Sequence, residues 1–262
     1  MKKSNVFRKL LGMAAAVCMM ALLLGMTTLA ADKVETIAFG ETKENYDQDA
    51  GIVHYYKFQV KQPGLISVTG VAATLAGIPR DLRVSLCDAK GKVLTTDYVN
   101  AMNSVVKSYA VNKGVYQFKV QAAEKFIIST GHKKYIEKSG STQKKAVSMK
   151  KKKAITGVVG IGESAKKTDW YKIVLKKSAR ITLECDVVSS SNIYIEVIPS
   201  KKITSIRGKH TIALGNERGE RGKVTFQTTT GKKLPTGTYY IKVHRNSRNA
   251  STNGIYRIKW TK

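Results

Sequence analysis

The sequence has little of what catalytic and metal centres are built from. It contains three cysteines and four histidines in 262 residues. No CxxC or Cys/His spacing suggests zinc. His54, His132, His210 and His244 stand outside nucleophile-elbow and zinc-helix spacings. A Ser/His/Asp triad drawn from distant positions stays open, but no mechanistic motif accompanies it, so the expectation is a protein that is not an enzyme. Only four prolines are present. Nothing after residue 31 is apolar for long enough to span a membrane as a helix. No long 3.6-residue apolar period appears there either, so helices should be few. Acidic residues are also short: 18 Asp and Glu face 46 Lys and Arg, a formal net charge of +28.

The N-terminus differs from the rest. Lys2, Lys3, Arg8 and Lys9 precede an apolar run from Leu10 to Met26, and Thr28-Leu29-Ala30 offers small residues for cleavage. Residues 1–30 read as a secretory signal peptide; an uncleaved anchor is the alternative, because the run approaches the ~18 residues of a span. The expected location is secreted or extracellular, with cell-wall association open to it. Export permits disulfides. Alternation places Cys185 in a core, in phase with Ile181 and Leu183, and points Cys87 outward, so two free thiols are expected. Leu234-Pro235-Thr236-Gly237 approaches a sortase signal but lacks one residue and is followed by a polar tail. It reads as a turn.

Internal repetition organises the remainder. Tyr55-Tyr56-Lys57-Phe58-Gln59-Val60 returns as Trp170-Tyr171-Lys172-Ile173-Val174-Leu175. Leu65 to Thr69 and Leu82 to Leu86 return as Arg180 to Glu184 and Ile193 to Val197. The hairpin at Lys113 to Val120 returns at Thr236 to Val243, and each copy closes with one more strand, Phe126 to Ile128 or Tyr256 to Trp260. Tyr116, Phe118 and Val120 share one face, as do Tyr239, Ile241 and Val243, with polar residues between them. Strands with one wet face belong to antiparallel sheets. The expected fold is all-β: two tandem antiparallel β-sandwich domains, jelly-roll or Greek-key-like, of about eight strands each. Module 1 spans 31–137, a basic polar linker 138–150, and module 2 151–262. The stretch Gly208 to Lys223, rich in Gly, Arg and Lys, reads as flexible.

Two motifs, Thr168-Asp169-Trp170-Tyr171-Lys172-Ile173 and Leu234 to Val243, resemble the bacterial pre-peptidase C-terminal domain. The resemblance covers nearly all of 31–262 as two copies. Copy one departs from it at His54, where the motif has an acid, and at Val115, where it has threonine. The resemblance implies an accessory, non-catalytic β-sandwich; relatives of this kind bind collagen, polysaccharide or calcium.

Three groups are candidates for binding. Glu41, Glu44, Asp47 and Asp49 form an oxygen-rich cluster of the kind calcium takes, but nothing fixes a coordination geometry, so a solvated acidic loop is the favoured reading, calcium the alternative, and no cofactor is expected. The counterpart acids of copy two, Asp169 and Glu163, are too few for a site. Tyr55 and Trp170 fall on the outer face beside Lys57 and Lys172, and could stack on a sugar ring or hold a peptide unless a loop covers them. Arg207, Lys209, Arg218, Arg221, Lys223, Arg245 and Arg248, with Lys150 to Lys153, flank strands of the second copy. Residues 31–136 carry a net charge of +4 and residues 137–262 a net of +20. The basic groups therefore form either a polyanion patch or a dispersed solvated surface. The expected function is binding of an anionic cell-wall polymer or polysaccharide through the basic second domain. An adhesion or structural partner of another exported protein is the alternative, and a secreted hydrolase comes after it. Nucleic acid is not an expected partner.

Overall fold

The alternation that marks the strands also decides their faces, since period two sends one set of side chains inward and the next into water. The computed structural model describes residues 33–46, 53–99, 106–121, 125–200, 210–228, 230–245 and 251–261. The expected signal peptide lies outside the described residues. In chain order the strands are β1 (Lys33–Thr36), β2 (Thr42–Asn45), β3 (Val53–Val60), β4 (Gly64–Ala73), β5 (Pro79–Arg80), β6 (Leu82–Asp88), β7 (Val93–Val99), β8 (Lys107–Val111), β9 (Gly114–Gln121) and β10 (Lys125–Lys134). The second half continues with β11 (Val147–Ser148), β12 (Ala154–Val159), β13 (Asp169–Leu175), β14 (Ile181–Ser189), β15 (Ile193–Pro199), β16 (His210–Leu214), β17 (Glu220–Phe226), β18 (Gly237–Arg245) and β19 (Gly254–Trp260). One 3-10 turn, Gln143–Lys145, is the only helix among the described residues.

These strands make two sandwiches of one topology. The first pairs a sheet β1-β3-β9-β6-β7 with a sheet β2-β10-β4-β5, to which β8 adds on β4. The second pairs β11-β13-β18-β15-β16 with β12-β19-β14-β17. In each, the opening strand runs parallel to its neighbour, β1 to β3 and β11 to β13, and the other pairings are antiparallel. Register repeats as well. Tyr55 faces Lys119, which faces Ser85, which faces Thr96. At the same places Trp170 faces Lys242, then Glu196, then Thr211.

Each sandwich closes around its own apolar cluster. Tyr56, Val68, Leu86, Phe118 and Ile128 lie in the first, and Tyr171, Ile173, Leu183, Tyr239 and Ile258 in the second. Complete burial of such a side chain contributes about 1.5–3 kcal/mol. Residues 33–262 nevertheless form one compact unit. A third small cluster, Ala110, Val158 and Ile255 with Leu65 and Tyr135, fills the junction. Ile161, which follows β12, inserts into the core of the first sandwich. Its N–H donates to Ala110 O at 2.8 Å, and the Ala110 N–H donates to Asn253 Oδ1 at 2.8 Å. Gly157 is required where it stands, because a Cβ there would come within 2.1 Å of the Tyr256 ring.

Three expectations need correction. Cys87 keeps the predicted phase with Ser85, away from the first core, yet it is fully buried. It lies on the inner strand β6 beside the buried Gln117, where the β6–β7 register shifts. Cys185 is in the second core, and both thiols are free. The stretch 208–223 holds β16 and most of the exposed length of β17 instead of a flexible loop. Residues 138–150 are built into the second sandwich instead of forming a linker. Gly140 bridges Trp170, β11 pairs with β13, and Met149 is buried in the core.

Candidate functional site

The outer face of β12-β19-β14-β17 brings basic residues together. Alternation turns Glu184 and Asp186 of β14 outward, along with Arg221 and Lys223 of β17 and Arg257 and Lys259 of β19. Register then fixes two rows, Arg221–Asp186–Arg257 and Lys223–Glu184–Lys259. Asp186 accepts from Arg257 at 3.0 Å and pairs with Arg221 at 3.3 Å, and Lys259 lies 3.6 Å from Glu184. Each row has one carboxylate between two cations, so each retains a positive charge. The Arg221 side chain is 91% exposed. These residues line a shallow groove of about 450 Å³. The Lys152 N–H donates to Trp260 O at 2.6 Å, which sets the exposed run Lys150 to Lys153 at the Lys259 end of β19. Arg218 is exposed in the turn before β17. Arg207, Lys209 and Arg248 lie outside the described residues.

The sequence marked Arg221 and Lys223 as members of a basic group but did not add Arg257 and Lys259 to it. The pairing of β14 with both β17 and β19 makes that connection, and only the folded register supplies it.

Arg245 belongs elsewhere. It is 1% exposed, donates to Gly160 O at 2.7 Å and pairs with Glu163 Oε2 at 3.0 Å. The Glu163 carboxylate also accepts from the Gly160 N–H at 3.0 Å, from Lys167 and from Asn112 of the first sandwich. Arg245 therefore fastens the junction and is unavailable to a polyanion. A buried guanidinium needs such partners, because an isolated buried charge is costly.

Asp169 is buried at the head of β13. Tyr256 donates to it at 2.6 Å, and the Tyr171 hydroxyl lies 2.7 Å from that of Tyr256. Ser139 Oγ lies 3.0 Å from both Asp169 Oδ1 and Glu137 Oε1. Burial, the largest cause, raises both carboxyls; the Asp169 charge raises Glu137 further, and Glu163 adds to both. One hydroxyl hydrogen cannot serve two carboxylates, so a proton held on one of them fits the geometry. The first sandwich buries His54 at the corresponding place, 5.0 Å from the Phe126 ring.

The second large sheet of the second sandwich, β11-β13-β18-β15-β16, exposes a different chemistry. Trp170 is half-buried on its outer face, with Nε1 donating to Thr168 Oγ1 at 2.7 Å. Tyr240, Lys242 and His244 of β18 and Tyr194 and Glu196 of β15 share that face. Tyr55 occupies the equivalent position in the first sandwich, with Lys119 Nζ 5.8 Å from its ring centre.

The proposed calcium cluster does not converge where it is described. Glu41 and Glu44 are three positions apart in an extended segment and project to opposite sides. Glu41 is occupied by Lys43 at 2.8 Å and the Ala38 N–H at 2.7 Å, and Glu44 by Tyr46 at 3.1 Å. Asp47 and Asp49 lie outside the described residues. Among the described residues no group of three acidic, His or Cys side chains is placed to hold a metal ion. Burial pushes the Cys185 thiol up to about 12 and raises that of Cys87, so neither is a ready nucleophile. Among the described residues no helix is long and apolar enough to cross a membrane.

No protein-family model matches the sequence, and no curated protein matches it. Among solved structures, the chain is similar to the N-terminal CBM22-1–CBM22-2 tandem domain of Paenibacillus barcinonensis Xyn10C. The identity is 10% over 78% of this chain and 82% of that one, with a TM-score of 0.25. It is similar to the CUB1-EGF-CUB2 domains of rat MASP-1 at 8% identity, over 86% and 99%, with a TM-score of 0.22. The cycloalternan-forming enzyme of Listeria monocytogenes matches at 14% identity over 85% of this chain and 19% of that one, with a TM-score of 0.28. At such identities and scores none of them bears on the ligand.

Proposed function

We propose that this is an exported, non-catalytic binding protein built from two pre-peptidase C-terminal-like β-sandwiches, and that its second sandwich holds an anionic polymer or polysaccharide at the cell envelope. The observation that supports this most directly is the pair of cation–carboxylate–cation rows on β17, β14 and β19. Asp186 holds Arg221 and Arg257 and Glu184 holds Lys259, and the outward N–H groups remain for a second anion. The Lys150 to Lys153 run extends the same field beyond the sheet. A polymer that spans the groove releases its own counterions on binding, so its affinity falls as salt rises.

The test is retention on immobilised heparin and on a polyphosphate-type cell-wall polymer across a salt series. Wild type should elute earlier as salt rises. A variant with Arg221→Ala, Lys223→Ala, Arg257→Ala and Lys259→Ala together should lose most of that dependence. Retention that is the same at low and high salt, or unaltered in the variant, removes this function.

A further inference from the structure

The loop from β12 to β13 carries a carboxylate that holds two nitrogens from different sandwiches. Glu163 Oε1 accepts from Lys167 Nζ, four residues on, and from Asn112 Nδ2 in the turn between β8 and β9. Its other oxygen is fixed. Glu163 Oε2 accepts the Gly160 N–H at 3.0 Å and Arg245 Nη2 at 3.0 Å, and that same Nη2 donates to the Gly160 carbonyl at 2.7 Å. A Cβ at Gly160 would come within 2.7 Å of Asn112 Nδ2 and 3.2 Å of the Glu163 carboxyl carbon, so the glycine is what lets these groups meet.

Two donors on one acceptor lie within about 6 Å of each other, because each bond is about 3 Å long. The Lys167 amine is therefore within a side-chain rotation of the Asn112 carboxamide. These are the parts of an amide exchange. The amine is a nucleophile and the carboxamide an electrophile. One carboxylate oxygen touches both the nitrogen that must lose a proton and the nitrogen that must gain it. The Glu163 side chain is 11% exposed and that of Lys167 39%, so the Lys167 side opens to solvent and gives ammonia a way out.

We propose that Lys167 and Asn112 join in an intramolecular isopeptide bond that locks the two sandwiches together, with Glu163 carrying the proton between them. The step begins from Lys167 that has given its ammonium proton to water. Nζ bonds Asn112 Cγ, and Glu163 takes one proton from Nζ and hands it to Nδ2. The Cγ–Nδ2 bond then breaks, its electron pair leaving with the nitrogen. An amine and a carboxamide become a secondary amide and ammonia, and nothing is oxidised or reduced. Burial, the largest effect, opposes the charge on Lys167, but the Glu163 hydrogen bond and the charges of Glu163, Glu137 and Asp169 outweigh it and hold the amine protonated beyond its usual range. Arg245 and Tyr116 are further titratable groups beside Glu163, and the Arg245 charge keeps it ionised and ready to accept. The bond therefore forms slowly, once per molecule, and faster as pH rises.

The test is to hold the purified full chain at about pH 9 and follow it by intact mass under denaturing conditions and by protease mapping. Wild type should lose about 17 Da, the mass of ammonia, and yield a branched peptide containing Asn112 and Lys167. The rate should rise about tenfold per pH unit while the amine is mostly charged. Asn253-Gly254 can lose ammonia by closing a succinimide, which leaves no branched peptide, so the map decides. Lys167→Arg and Asn112→Ala should give no branched peptide. Glu163→Gln cannot carry the proton and should slow linkage by about a hundredfold or more. Thermal unfolding shows which variants are folded. Lys167 is exposed and Asn112 half-buried, so their variants keep the test decisive if Glu163→Gln, which strands Arg245, does not fold. The lock is overturned if no branched peptide forms in folded wild type, if it persists in the Lys167 or Asn112 variant, or if folded Glu163→Gln links as fast as wild type.

Discussion

Arg245 illustrates how a residue that composition assigns to the surface can serve the interior. It ends β18 in a basic segment, and composition does not separate it from Arg248. Alternation does: Tyr239, Ile241, Val243 and Arg245 share the inward phase, and the burial pattern follows it. Its distant partner, Glu163, cannot be found by phase. Removing one member of a buried pair strands the other, which costs about 3–5 kcal/mol. Arg245→Ala should therefore lower the unfolding free energy by about that amount, whereas Arg221→Ala on the exposed face should change it by less than about 1 kcal/mol. Urea denaturation of the two variants measures the contrast.

Strands are where the sequence is most readable, because a half-buried strand must alternate. The strands from β3 to β19 that carry long alternating apolar sets were legible for that reason. β11 was not, since two residues show no period. β17 was hidden by its composition, Glu-Arg-Gly-Lys, which resembles a loop until its pairing with β14 is known. The segment before β11 looks like a tether, yet Ser139 and Glu137 fasten it to β13 through Asp169. Asp169 and Glu137 have carboxyls raised by burial, so the fold favours their neutral forms. That contribution to stability is full below the ordinary carboxylate range and is lost as pH rises through the raised values. Asp169→Asn keeps an acceptor for Tyr256 and removes the titration. It should lessen the fall in stability as pH rises through and above the ordinary carboxylate range, read from denaturation on either side of that range.

At the scale of the molecule, duplication and charge asymmetry were legible, and the joint between the copies was not. Ile161 stands between Gly160 and Gly162 just past β12, a stretch that gives no sign of packing into the preceding sandwich. That insertion, with the Asn253 and Glu163 contacts, couples two cores that are otherwise separate. Calorimetry of the wild type should give a single transition with equal van't Hoff and calorimetric enthalpies. Ile161→Ala removes about 2–5 kcal/mol from the coupling and should divide the transition in two, with the first sandwich melting earlier.

Among the described residues, the sheet that carries the cationic rows ends at β17, whose backbone pairs there on one side, with β14. Arg221 and Lys223 project from that rim. An identical chain approaching to extend the ladder would set like charges against like, so the rim repels copies of itself. The lysines and arginines that make the groove attractive to a polyanion thus also keep this margin from seeding a growing fibril.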